Sequence, residues 1–191
     1  ELHDGSGVAL SALKMKLNVL KENPGDLKAS QISGLMKDVD HIYEDIRNIS
    51  HNLMPKTLSK LGLFPAIDEL VNQFRIAAPQ IKFNLYKKAE TIVLNENAKI
   101  NIFRMVQELL TNIVKHSGAK DVSLQLIRHN DSLMISVEDD GVGFNFRETR
   151  NGIGLTSVES RVQIFEGTLS IDTSPHNGTF VSIFLPIKNI M

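Results

Sequence analysis

Between Ile32 and Leu53 the apolar residues fall at Ile32, Leu35, Val39, Ile42, Ile46, Ile49 and Leu53, in alternating steps of three and four. That spacing draws one narrow apolar line along an α-helix, the seam of a coiled coil. Leu10, Leu13, Leu17 and Leu20 repeat the rhythm upstream. Asn23-Pro24-Gly25-Asp26 lies between the two runs and ends one helix before the next begins, so the pattern predicts an antiparallel helical hairpin. A hairpin of roughly 50 residues buries too little apolar surface to stand alone. Its seam needs a partner, either a second copy that completes a dimeric four-helix bundle or the rest of the same chain. The narrowness of the seam favours the second copy, because a helix packed on a globular core shows a wider stripe.

Pro55 stops the second helix, and a connecting stretch leads to Gly62. The remainder reads as mixed α and β. Leu63 to about Ala77 is an amphipathic helix; Ile81–Leu85 and Thr91–Leu94 are strand-like. Asn95 caps a helix that runs to about His116 and is ended by Gly118. Val122, Leu124 and Leu126 alternate with polar residues, as do Leu133, Ile135 and Val137, so both runs predict half-buried strands. A glycine-rich loop spans about 140–154, a short helix Leu155 to about Phe165, and two strands close the pattern at about 168–173 and 179–185. The expected fold class is α+β: a helical hairpin over 1–56, then an α/β sandwich over 57–191, with helices on one face of a largely antiparallel sheet.

Of the 191 residues, 42% are hydrophobic and 23% charged, which argues for a packed globular chain. The net charge is −1, with no basic stripe, so no nucleic-acid partner is expected. With no cysteine, disulfides and thiolate metal sites are excluded. No apolar run approaches the roughly 20 residues that span a bilayer, so this segment is expected to make no membrane contact. The opening Glu1-Leu2-His3-Asp4, without an initiator Met, reads as a piece of a longer protein. The expected compartment is the cytoplasm, whether or not the parent protein is anchored in a membrane.

Four constellations carry chemistry. In the helix before Gly118, Glu108 and Asn112 are four apart and Lys115 three further, so a carboxylate, an amide and an ammonium share one stripe. Magnesium takes oxygen ligands and keeps several waters, so the Asn112 carbonyl could ligate it, Glu108 hold its waters and Lys115 meet phosphates; a plain solvated face shows the same spacing. The second is Asp139-Asp140-Gly141-Val142-Gly143. Strand phase puts Asp139 on the inward face with Val137 and turns Asp140 outward. A buried carboxylate needs a donor, and an exocyclic amine would serve, while Gly141 and Gly143 let the backbone turn close to a ligand. The third, Gly152-Ile153-Gly154-Leu155, opens a helix, where backbone N–H groups attract anions, yet it matches neither a Walker A loop nor a dinucleotide fingerprint. The fourth is Gly178-Thr179, with Thr179 in phase with Val181, Ile183 and Leu185 and so on the face of Asp139.

In order and spacing these resemble the N-box, the two G-boxes and the terminal Gly-Thr of the histidine-kinase ATPase fold, shared with gyrase, Hsp90 and MutL, over about residues 64–187. The resemblance implies ATP and Mg²⁺ as cofactors, an adenine contact at Asp139, Mg²⁺ at Asn112, and a catalytic role for Glu108. It also implies phosphate contacts near Lys115 and from the Gly152–Leu155 turn, which would sit in a short mobile lid. The start, Glu1-Leu2-His3-Asp4-x-x-Gly7, looks like the phosphoacceptor motif of the subfamily of nitrate- and lipid-responsive sensor kinases. That likeness implies that His3 receives the γ-phosphate, that Asp4 is its orienting base, and that a response-regulator receiver domain is the next acceptor. The expected function is thus a homodimeric histidine autokinase. The alternatives are an ATPase that uses nucleotide as a conformational clamp without phosphorylating histidine, and a non-catalytic dimerisation and nucleotide-binding module.

Overall fold

The computed structural model describes residues 13–17, 32, 34–36, 39, 56–89, 92–145 and 153–191. The chain divides into two compact units, Glu1–Met54 and Pro55–Met191. In the first unit the described residues are helical, and three of them on the seam, Leu17, Ile32 and Val39, are exposed. The Asn23–Asp26 turn, and with it the predicted hairpin, lies outside the described residues, as do His3 and Asp4.

The second unit opens with α1 (Lys56–Leu61), a short helix where the sequence suggested only a connection. Gly62, at φ 87°, makes the break before α2 (Leu63–Ala77). There Leu63, Ala66, Ile67, Leu70 and Val71 are buried, one face of the helix. Strand β1 (Lys82–Lys88) follows. Ile92 and Leu94 are buried and Val93 is exposed, a strand-like alternation, yet these residues join no ladder: the Ile92 N–H turns back to the Ala89 carbonyl at 3.0 Å. The predicted Thr91–Leu94 strand is therefore not formed over Ile92–Leu94, and Thr91 lies outside the described residues.

Asn95 caps α3 (Glu96–Asn112), its side chain accepting from the Ala98 N–H at 2.8 Å. The helix does not stay α-helical to His116. It loosens into a π-helical turn over Ile113–Ser117, ended by Gly118 in the left-handed region at φ 62°. Strands β2 (Asp121–Arg128) and β3 (Ser132–Asp139), helix α4 (Ile153–Ile164), strands β4 (Thr168–Thr173) and β5 (Thr179–Pro186), and the short α5 (Ile187–Ile190) complete the chain. The sheet order is β1-β2-β3-β5-β4. Three pairings are antiparallel, and β1 runs parallel to β2, so the sheet is mixed.

Phe83, Leu124, Ile135 and Ile183 bury one face of the sheet in the same cluster as Ile67, Ile102, Met105 and Val158 of the helices. On the other face Phe180 and Phe184 are partly exposed. This is a two-layer α/β sandwich. Its C-terminal turn closes on the start of α3: the Asn95 N–H donates to the Ile190 carbonyl and the Asn95 amide to that of Met191, both at 3.0 Å.

Candidate functional site

The strand register fixes one end of the site. Val122 of β2, Asp139 of β3, Thr179 of β5 and Thr173 of β4 pair in succession, so their side chains form one row across the inward face. Asp139 is buried with only 6% of its surface exposed, while Asp140 is exposed, as alternation from Val137 requires. The Asp139 Oδ1 accepts from the Gly141 N–H at 2.9 Å. Burial raises the Asp139 pKa from its ordinary value; the Gly141 N–H opposes that shift and the Asp140 charge adds to it.

Asp140 has its own work. Its Oδ1 accepts from the N–H groups of Lys120 (2.7 Å) and Asp121 (2.9 Å), tying the start of β2 to the end of β3. Those bonds, Asp121 first, hold its pKa low.

The loop after Asp139 is threaded through close quarters. A Cβ on Gly141 would strike Ser117 and the Asp139 carboxylate; one on Gly143, at φ 58°, would strike the Ser174 carbonyl. The backbone is tied on both sides: Val142 N–H to Ser117 O (2.8 Å), His176 N–H to Val142 O (2.6 Å) and Gly178 N–H to Gly141 O (2.9 Å). Thr173 Oγ1 donates to the Gly178 carbonyl at 3.0 Å and accepts from the Phe144 N–H at 3.2 Å. It lies 3.2 Å from Thr179 Oγ1. With the single Thr173 proton given to Gly178, that last bond is donated by Thr179.

The other end of the site lies where α4 meets α3. Glu108 and Asn112 are half-buried, and Lys115 on the π-helical turn is exposed. Gly154, at the start of α4, sits directly on the first two: a Cβ there would meet Glu108 Oε1 and the Asn112 amide. The structure thus brings Glu108, Asn112 and Gly154 together, with the half-buried Leu155 next to Gly154 in sequence. It sets Asp139, Gly141, Gly143 and Thr179 together at the other end. Ser117 joins the two ends, since it continues the helical run from Asn112 and carries the carbonyl that holds Val142. Gly152 lies outside the described residues. Among the described residues no cluster of three His, Asp or Glu side chains could hold a metal.

Sequence reasoning missed Thr173, Ser117 and a polar pair between the helices, Arg161 of α4 and Asn101 of α3. Thr173 was findable, since Leu169, Ile171 and Thr173 continue the phase argument applied to Thr179. Nothing in the local sequence marks Arg161 and Asn101 as partners.

Residues 97–189 match the model of the histidine kinase-, DNA gyrase B- and HSP90-like ATPase family. The whole chain is 32% identical to the signal transduction histidine-protein kinase/phosphatase UhpB of Salmonella typhimurium and spans 38% of it. It is 34% identical over 88% of its length to the sensor histidine kinase ComP of Bacillus subtilis, spanning 22% of that protein. With the oxygen sensor histidine kinase NreB of Staphylococcus carnosus it shares 29% identity, over 99% of this chain and 55% of that one. Among solved structures, the histidine kinase AdeS of Acinetobacter baumannii superimposes with a TM-score of 0.62 at 12% identity, covering 94% of this chain and 95% of AdeS. The histidine kinase domain of the blue-light activated kinase of Erythrobacter litoralis gives 0.56 at 21% identity, over 65% and 64% of the two chains. These two show a shared fold.

Proposed function

We propose, from the match of residues 97–189 to the histidine kinase-, DNA gyrase B- and HSP90-like ATPase family and from curated relatives named as sensor histidine kinases, that this chain is the catalytic core of a sensor histidine kinase that binds Mg-ATP and autophosphorylates His3. The observation that carries the reading is the row Asp139–Thr179–Thr173. It presents a buried carboxylate, with Gly141 and Gly143 beside it, at the start of the loop that follows β3. Beside the Gly141 N–H that it already accepts, such a carboxylate can take a further donor, and an adenine amine would serve. At the other end, the start of α4 offers backbone N–H groups to the phosphates. Lys115 is exposed on the turn that follows Asn112 and would supply a cation.

The oxygen donors beside Gly154 fit Mg²⁺, which takes few protein ligands and retains water: Asn112 Oδ1 would hold it and Glu108 its waters. When bound, the ion would spread the charge that develops on the transferred phosphoryl group. The neutral imidazole of His3 forms the N–P bond as the bond from the γ-phosphorus to the bridging oxygen breaks, and ADP leaves. The imidazole proton passes to Asp4 or to water. The phosphoryl group then moves to an aspartate of a response-regulator receiver domain. The compartment is the cytoplasm, and the domains are a phosphotransfer hairpin over 1–56 and an ATP-binding domain over 57–191. The hairpin pairs with a second copy, a reading supported by the exposure of Leu17, Ile32 and Val39 on the seam. The names of the relatives give no support to the clamp-type ATPase.

The test is incubation with γ-labelled ATP and magnesium. Acid-labile label should enter the chain and be lost in His3→Gln. Label that persists in His3→Gln, or none in the wild type, would remove the proposal.

A further inference from the structure

Helices α3 and α4 share a buried apolar seam that includes Ile102, Met105, Val158 and Val162, and two polar contacts flank it. Gly154 rests on Glu108 and Asn112 near the end of α3. Nearer its start, Asn101 Oδ1 accepts from an Arg161 guanidinium N–H at 2.9 Å. The helices therefore run antiparallel, with matched spacings: Gly154 to Arg161 is seven residues on α4, and Asn101 to Glu108 is seven on α3. Seven residues are close to two turns, so each pair lies on one helix face.

The Asn101 amide is fully committed. It is 6% exposed, and its nitrogen donates to Asn97 O (2.9 Å) and Asn97 Oδ1 (2.8 Å). Its orientation is forced, because a guanidinium only donates and would face two N–H groups if the amide were flipped. Arg161 also occupies this place near a like charge. Arg104, buried one turn along α3, has its pKa lowered first by burial and then by the Arg161 charge.

We propose that Arg161 is a positioning residue: through Asn101 it sets the register of α4 on α3 that seats Gly154 against Glu108 and Asn112. The proposal rests on the reading of that contact as the phosphate end of the nucleotide site. Without the bond, α4 can slide or lift while the base end, built on the sheet, stays intact. A misplacement of even about 1 Å at a phosphoryl-transfer site costs as much as 100-fold in rate.

The experiment uses the full chain with Arg161→Met, which keeps an unbranched apolar stem, and Arg161→Lys, which keeps a donor. Hydrogen exchange of the apo protein should speed up by about tenfold or more at residues 154–158 in Arg161→Met, with β3 and β5 unchanged, as for a local opening. ADP affinity should stay within about threefold, while phosphorylation at saturating ATP falls by about tenfold and recovers substantially in Arg161→Lys. Unchanged exchange at 154–158, exchange raised equally throughout the domain, or an unaffected rate in a labelling wild type would each overturn the proposal. If the wild type itself takes up no label, the kinase reading fails, and the exchange pattern still decides the role of Arg161.

Discussion

The two ends of the site are built from different materials. At the end proposed for the base, Asp139 and Thr179 stand on neighbouring strands whose ladder fixes their row, and the loop beside them is wedged between main-chain atoms of Ser117, Ser174 and Gly178. At the end proposed for the phosphates, α4 meets α3 through contacts that involve side chains: the Gly154 backbone against Glu108 and Asn112, Arg161 against Asn101, and apolar packing of Val158 and Val162. A backbone ladder opens only with the whole sheet, whereas a side-chain contact between helices can loosen alone. The base end should therefore govern whether the domain folds and binds, and the phosphate end how fast it transfers.

The largest effect is expected at Gly143. Gly143→Ala combines a left-handed φ of 58° with a Cβ driven into the Ser174 carbonyl. A loss of about 2–4 kcal/mol is expected, visible in urea denaturation. A variant as stable as the wild type would break the claim that main chain fixes this end.

Asp139→Asn comes next. ADP binding should weaken by about 1.5–3 kcal/mol, at least about tenfold, in a calorimetric titration. Stability should move the other way. Because the folded pKa of Asp139 is raised, folding favours the protonated acid; stability is lost as pH climbs from the unfolded pKa through the folded one, and the penalty is complete well above both. At neutral pH the variant, with an uncharged amide in place of the carboxylate, should melt no lower than the wild type, and a clear drop would contradict this account.

Gly154→Ala probes the softer end. The intruding Cβ meets the tip of a carboxylate side chain, which can yield, so stability should change by less than about 1 kcal/mol. Phosphorylation at saturating ATP should nonetheless fall by about tenfold. Equal losses of stability and rate would erase the distinction between the two ends.

Asp140→Asn should do least. The Asn carbonyl can still accept from Lys120 and Asp121, and the site is exposed, so well under about 1 kcal/mol is expected and ADP affinity should hold.

Where one strand's alternation carried the information, the sequence was legible. The phase from Leu133 to Val137 separated Asp139 from Asp140, and that from Val181 to Leu185 placed Thr179. The limits of α2 and the cap at Asn95 were equally local. Alternation reports burial and not pairing, which is why Ile92–Leu94 reads as a strand without joining the sheet, and why the parallel pairing of β1 with β2 left no mark. The π-helical turn at Ile113–Ser117 is a change of hydrogen-bond step that apolar spacing does not encode. Arg161 and Asn101 are polar residues sixty positions apart, joined only once two helices have packed.

The place of β5, between β3 and β4, has a consequence for the order in which the protein can assemble. As the chain leaves the ribosome, β1 to β3 and all of α3 are available long before Thr179 arrives. Until then one edge of β3 has no neighbour, and an unpaired edge invites pairing with other chains. The row that would grip adenine is completed by the last of the five strands, so nucleotide cannot template an early intermediate. Folding of this domain is bound to wait on contacts of long sequence separation, and the nascent chain is most vulnerable to aggregation in that interval.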